Sequence, residues 1–159
     1  MFGNRPSARL IEDESALVQA VVQLLARRDY SRQELISRLG SRVEDEAMLA
    51  RVLDRMETDG YQSDRRFAAS HARQRVEQGY GERRIRYDLQ QKGIDSALVD
   101  SALTELEVDW FELARRQAAR RYGDHPSEDA REHGRRMRYL LGRGFGYDEV
   151  RHALEPTEE

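Results

Sequence analysis

The sequence predicts an all-α protein of about nine helices. They form three tandem three-helix, helix-turn-helix-like repeats in an elongated, curved array. Three observations predict this. Apolar residues recur at helical three- and four-residue intervals and never keep up the two-residue alternation of a half-buried strand. Glycines and small polar residues punctuate short stretches of that pattern. The junctions also repeat: LARRDYSRQELISRL (25–39), RVEQGYGERRIRYDL (75–89) and LLGRGFGYDEVRHAL (140–154) align Tyr30 with Tyr80 and Phe145, Leu35 with Ile85 and Val150, and Leu39 with Leu89 and Leu154. A unit this small cannot bury its apolar face alone, so neighbouring units must stack.

Residues 1–14 lack periodicity and contain Gly3 and Pro6, which predicts a flexible lead-in. A first helix over about 15–28 places Leu17, Val21, Leu24 and Leu25 on one face, and Asp29-Tyr30 breaks it. Ser31-x-x-Glu34 is a capping box opening a short second helix with Leu35, Ile36 and Leu39, and Gly40 stands where a positive φ would end it. The third helix, about 44–59, opens on Glu44, Asp45 and Glu46, packs through Met48, Leu49, Val52, Leu53 and Met56, and stops at Gly60. Ser63 or Asp64 caps the fourth, whose inner face is Phe67, Ala68, Ala72 and Val76. Gly79 ends that helix and Gly81 opens the fifth, with Ile85 and Leu89 inward and Gly93 as the stop. Asp95 caps a sixth bearing Leu98, Ala102, Leu103 and Leu106. Asp109 opens a seventh with Trp110, Phe111, Leu113, Ala114 and Ala118. Pro126 disfavours helix in the residue before it, so the eighth helix is expected over about 127–142, with Ala130, Gly134, Met137, Leu140 and Leu141. The ninth covers about 147–154 with Val150 and Leu154. The expected units are 15–62, 63–108 and 109–155, followed by an acidic tail, 156–159.

Composition narrows the function classes. Charged residues, at 36%, nearly match the hydrophobic 38%, which suits a repeat array with much surface per unit of core. No apolar run approaches the roughly 20 residues of a membrane span. Absence of cysteine removes thiolate metal sites and fits a cytoplasmic protein. The net charge of −3 argues against a simple nucleic-acid coat, but the charge is unevenly placed. Between Arg65 and Lys92 stand eight basic residues (Arg65, Arg66, Arg73, Arg75, Arg83, Arg84, Arg86, Lys92) against three acids, Glu77, Glu82 and Asp88. Arg115, Arg116, Arg120 and Arg121 make a second cluster, and Arg135, Arg136, Arg138 and Arg143 a third. A single charged helix face is usually only solvated. Three such faces in successive units point to a shared partner-binding surface, and arginine can fork onto carboxylate or phosphate alike.

No catalytic site, cofactor site or metal site is expected. The four histidines show no paired ligand spacing, and Glu149-x-x-His152 alone would need several further ligands. Gly142-Arg-Gly144-Phe-Gly146 lies between two helices rather than after a strand, so it reads as helix punctuation and not as a phosphate loop. Sequence-specific DNA reading by a helix-turn-helix is disfavoured by short second helices and by acids interleaved with Arg32, Arg38, Arg83 and Arg86.

One long motif remains. Gly60-Tyr61-x-x-Asp64-x-x-Phe67-Ala68, then Arg73-x-Arg75, then Gly81-x-x-Arg84-Ile85-x-x-x-Leu89-x-x-Lys92-Gly93-Ile94 resembles the central motif of the RecX family. The flanking units also fit, through Ser31-Arg32-x-Glu34-Leu35-x-x-Arg38-Leu39 and Gly144-Phe145-x-Tyr147-x-Glu149-Val150; Gln62 and Ser63 depart from the family's usual residues. The resemblance implies a bacterial cytoplasmic, non-enzymatic regulator of the RecA recombinase in DNA repair, recombination and the SOS response. Its partners would be RecA protein and the groove of the RecA–DNA filament, where it suppresses ATPase and strand exchange. A monomer without membrane attachment is expected. The competing expectation is an autonomous helical DNA-binding module acting without RecA.

Overall fold

The computed structural model describes residues 9–156, which contain nine α-helices and no strand. These are α1 (Glu14–Arg27), α2 (Arg32–Leu39), α3 (Glu46–Thr58), α4 (Asp64–Glu77), α5 (Glu82–Gln91), α6 (Ser96–Glu105), α7 (Trp110–Tyr122), α8 (Ala130–Gly142) and α9 (Tyr147–Leu154). The chain divides into two compact units between Phe67 and Ala68. No helix among the described residues is long and apolar enough to cross a membrane.

In the first unit α1, α2 and α3 surround one core of Ile11, Leu17, Val21, Tyr30, Leu35, Leu39, Val43, Met48, Leu49, Val52, Leu53 and Met56. The expected flexible lead-in is partly corrected: residues 1–8 lie outside the described residues, but Ile11 is buried and donates its N–H to the Arg42 carbonyl at 2.7 Å. The Asp13 side chain then caps α1 by accepting from Ser15. Gly40 also departs from expectation. Its φ is −58°, so α2 tightens into a 3-10 turn over Gly40–Arg42 instead of reversing there. Ile36, expected to pack, is substantially exposed.

The capping box at Ser31 is complete. Its hydroxyl accepts from the Glu34 N–H at 3.1 Å, and the Glu34 carboxylate accepts from the Ser31 N–H at 3.1 Å. Ser31 is fully buried, so Ser31→Ala should lower stability by about 1–2 kcal/mol in urea unfolding of the full chain. Ser63 rather than Asp64 caps α4, accepting from Arg66. Asp64 instead accepts the Arg32 N–H at the start of α2, at 2.9 Å. Gln62 is buried and links the Tyr30 carbonyl (3.3 Å) to the Asp64 carboxylate (2.9 Å). The amide thereby satisfies a buried carbonyl that an aliphatic side chain could not reach.

The second unit holds the rest of α4 and α5 to α9. Ala68, Ala72, Ile85, Leu89, Ile94, Val99, Ala102 and Leu103 are buried along α4, α5 and α6. A further cluster of Leu113, Ala114, Ala118, Leu140, Phe145 and Val150 joins α7, α8 and α9, with Val76 of α4 packed against it. Asp129 caps α8, so this helix starts at Ala130, later than the expected start at about 127. Phe111 and Leu141 stand partly in solvent, Phe111 with its ring edge-on to His152 at 5.6 Å.

The turn before α5 and the turn before α9 are joined through backbone. Gly81 N–H donates to the Arg143 carbonyl at 2.9 Å, and Arg83 N–H donates to the Gly144 carbonyl at 3.0 Å. The Arg143 side chain reciprocates, donating to the Gln78 carbonyl and, at 3.4 Å, to that of Gly79. Its guanidinium lies 3.8 Å from the centre of the Tyr80 ring. Glycine is required here by proximity: a Cβ on Gly81 would lie 2.5 Å from the Gly144 oxygen and the Phe145 nitrogen.

Candidate partner-binding surface

Whether an arginine can serve a partner depends on what already holds it. In the central stretch most are held internally. Arg66 bonds the Asp29 carboxylate (3.2 Å) and the carbonyls of Gly60 and Tyr61, so it secures the turn into α4. Asp88 on α5 is a hub: Arg84 lies 3.2 Å from one carboxylate oxygen, while Arg75 (3.5 Å) and His71 (3.9 Å) approach the other. Arg75 and Arg84 also flank the Tyr80 ring, at 5.3 and 5.6 Å. Arg86 bridges Glu82 (3.3 Å) and Asp100 of α6 (2.5 Å). The hydrogen bond to Asp100, against a smaller cost of burial and with help from Glu82, raises its pKa above the ordinary arginine value. Arg65 is exposed and Lys92 half-buried. Arg73 and Arg83 are exposed and form no ion pair among the described residues.

In the third basic cluster the expected outward face is corrected at two positions, Arg143, whose guanidinium is committed to the Gln78 and Gly79 carbonyls, and Arg136. Arg136 is buried: its guanidinium donates to the His125 carbonyl at 2.8 Å and to Glu132 at 2.7 Å, and stacks over Tyr122 at 4.7 Å. The reason is angular, because Arg136 shares its side of α8 with His133, Met137 and the fully buried Leu140. Glu132, bonded first by the Glu128 N–H and then by Arg136, has its pKa lowered below the usual glutamate value. Arg135 and Arg138 are exposed on the opposite side and form no ion pair among the described residues. Arg131, which the sequence reading overlooked, lies with them at the (i, i+4, i+7) spacing of one helix face. That spacing is visible in the sequence and could have found it.

On α7, Arg116 and Arg120 are exposed without an acidic partner among the described residues, Arg115 is half-buried, and Arg121 lies 5.2 Å from the Tyr139 ring. Exposed aromatics were a further omission. Tyr61, Tyr87 and Tyr147 are each more than half exposed. They escape detection because aromatic residues at helical spacing read as core.

Glu149 is occupied in accepting the Gly146 N–H at 2.9 Å, and His152 in its contact with Phe111. Among the described residues no group of three His, Asp or Glu side chains is placed to hold a metal ion.

Comparison with known proteins adds three findings. The profile of the second three-helix domain of RecX matches residues 63–103, and that of the third three-helix domain matches residues 107–154. The chain is 42% identical over 133 residues to a protein named Regulatory protein RecX from Chromohalobacter salexigens, covering 84% of this chain and 87% of that one. It is 36% identical over 141 residues to the protein of that name from Vibrio campbellii, covering 89% and 91%. Among solved structures, RecX from Lactobacillus salivarius superposes with a TM-score of 0.74 at 25% identity, covering 88% of this chain and 93% of that one. A crystal structure of a regulatory protein RecX gives a TM-score of 0.75 at 23% identity, covering 87% and 71%, and so shares the fold.

Proposed function

Because the chain belongs to the RecX family, we propose that it regulates the RecA recombinase, acting as a monomer in the bacterial cytoplasm. It binds RecA and occupies the groove of the RecA–DNA filament, lowering ATPase and strand exchange during DNA repair, recombination and the SOS response. It performs no catalysis of its own. Three-helix units at 15–62, 63–108 and 109–155 each present a face to the filament in this reading. The observation that carries it is the match to relatives named as regulatory proteins across most of both chains. Arg73 and Arg83 in the central stretch, which engage no acid, supply contacts there at no cost to internal ion pairs.

The test is the ATPase rate of RecA on single-stranded DNA, titrated with this protein at several salt concentrations. The rate should fall to a plateau as the protein saturates the filament. A rate unchanged at the highest concentration, with direct binding to the filament also absent, would reject RecA as the partner.

A further inference from the structure

Among the described residues, Asp88 Oδ2 and Arg136 Nε are buried side-chain atoms without a hydrogen-bond partner in the protein. The first is accounted for by its neighbours, because Arg75 and His71 stand 3.5 and 3.9 Å from it. Arg136 has no such account. One hydrogen of each terminal guanidinium nitrogen is engaged, by the His125 carbonyl and by the Glu132 carboxylate. The Nε hydrogen and the second hydrogen of each terminal nitrogen remain. They belong to a cation whose side chain is only 9% exposed, where an unmet donor is destabilising.

Arg136 borders a pocket of about 480 Å³ that lies wholly within the second unit. Arg115, Ala118 and Ala119 of α7 form one wall and the 123–127 loop another, while His133 and Arg136 come from α8 and residues 153–156 close the side beyond α9. The walls are fixed from within. Gly123, at a φ of +73°, turns the chain out of α7, and the bond from Arg136 to the His125 carbonyl ties the loop to α8. Burial grades the lining: Arg136 lies deepest, Arg115, His133 and Leu154 are half-buried, and Asp124 and Glu155 are exposed at the rim. The side chains of Arg115, His125 and His133 form no hydrogen bond or ion pair among the described residues. Unmet donors therefore converge on one concave site. Arg116, the next residue on α7, takes no part in the lining.

The lining restricts the ligand. The volume falls in the range of small-molecule pockets, roughly 300–1,000 Å³. Guanidinium donors in a half-buried setting suit a carboxylate, which accepts from them in a fork. Ala118, Ala119 and Leu154 offer an apolar wall for the rest of the molecule. Asp124 and Glu155 at the rim repel further negative charge, so a single carboxylate is favoured over a dianionic phosphate or a nucleic-acid backbone.

We propose that this pocket binds a small monocarboxylate with an apolar body, the carboxylate held by Arg136 and Arg115 beside His133. It does not rest on the RecA reading, because binding is measured on this chain alone. The experiment titrates the ¹⁵N-labelled full chain with benzoate and isovalerate, and separately with benzamide, isovaleramide and inorganic phosphate. Two-dimensional NMR follows the backbone amides and the arginine Nε–H signals. At least one carboxylate should shift the Arg136 Nε–H and the amides of 123–127 and 153–156 along one saturable curve. Its uncharged amide counterpart and phosphate should bind about tenfold more weakly or not at all. Arg115→Gln and His133→Gln, each checked for folding by circular dichroism, should each weaken carboxylate binding about tenfold, and Arg116→Gln should stay within about twofold. Arg136 is left intact because it also secures the loop. The proposal is overturned if neither carboxylate gives a saturable shift, or if the uncharged amides or phosphate bind as tightly. Parent-like binding by both Arg115→Gln and His133→Gln overturns it as well, as does displacement of the carboxylate by an oligonucleotide, which would assign the site to nucleic acid.

Discussion

Gly144→Val should destabilise the protein by about 4 kcal/mol, moving the thermal midpoint down by roughly 10 °C. Two costs combine. Gly144 has a φ of +99°, a conformation a β-branched residue adopts only under strain of about 1–3 kcal/mol. A Cβ there would also lie 2.5 Å from the Arg84 backbone nitrogen, and overpacking of this kind costs about 1–3 kcal/mol. The obstacle is backbone, so no side-chain rotation relieves it; α5 would have to move away. That movement would also break the bond from Arg83 N–H to the Gly144 carbonyl. Gly81→Ala separates the two terms. Its φ of −82° suits alanine, so any loss measured by urea unfolding reports crowding alone. If Gly144→Val matched the parent in the same assay, the close packing of these two turns would be wrong.

Phe145→Ala should cost about 3–5 kcal/mol, because the ring is fully buried and its removal leaves a cavity among Leu113, Leu140 and Val150. The interesting comparison is with Tyr80→Ala. The sequence aligns Tyr30, Tyr80 and Phe145 as one repeating position, but the structure gives them different work. Tyr30 and Phe145 are buried core rings, whereas Tyr80 is half-buried beneath the guanidiniums of Arg143, Arg75 and Arg84. Tyr80→Ala removes partial burial and a stack worth roughly 0.5–2 kcal/mol, so its unfolding midpoint should fall clearly less than that of Phe145→Ala. Equal losses would mean that Tyr80 contributes as a core residue after all.

These differences mark what was legible in the sequence. Helices governed by local signals are read well: Asp95, Asp109 and Ser31 stand in their capping positions, and Leu17, Val21, Leu35, Leu39, Ile85 and Leu89 are buried. Errors arose where a distant residue decides. Asp64 is one of two candidate caps for its own helix; Ser63 takes that place, and the Asp64 carboxylate accepts the N–H of Arg32, half the first unit away in sequence. Arg66 looks solvated until Asp29 is brought beside it, and Arg86 until Asp100 is. Arg136 is a different kind of miss. Its pairing with Glu132 and its alignment with Met137 and Leu140 are both local, but counting arginines as a cluster concealed the face each occupies.

The backbone bonds from Gly81 and Arg83 to the turn at Arg143 and Gly144 bear on modularity. Family profiles divide this region into two three-helix domains, at 63–103 and 107–154, as if each were a separable part. The bonds span a closed stretch of chain from α5 to the end of α8, and both profile regions contribute to the compact unit that begins at Ala68. Separating the two profile regions would strand the N–H groups of Gly81 and Arg83 on one side and the carbonyls of Arg143 and Gly144 on the other, along with the arginine that covers them. The family profiles and the packing therefore partition this molecule differently: most of the second helical triplet and all of the third hold together as one unit.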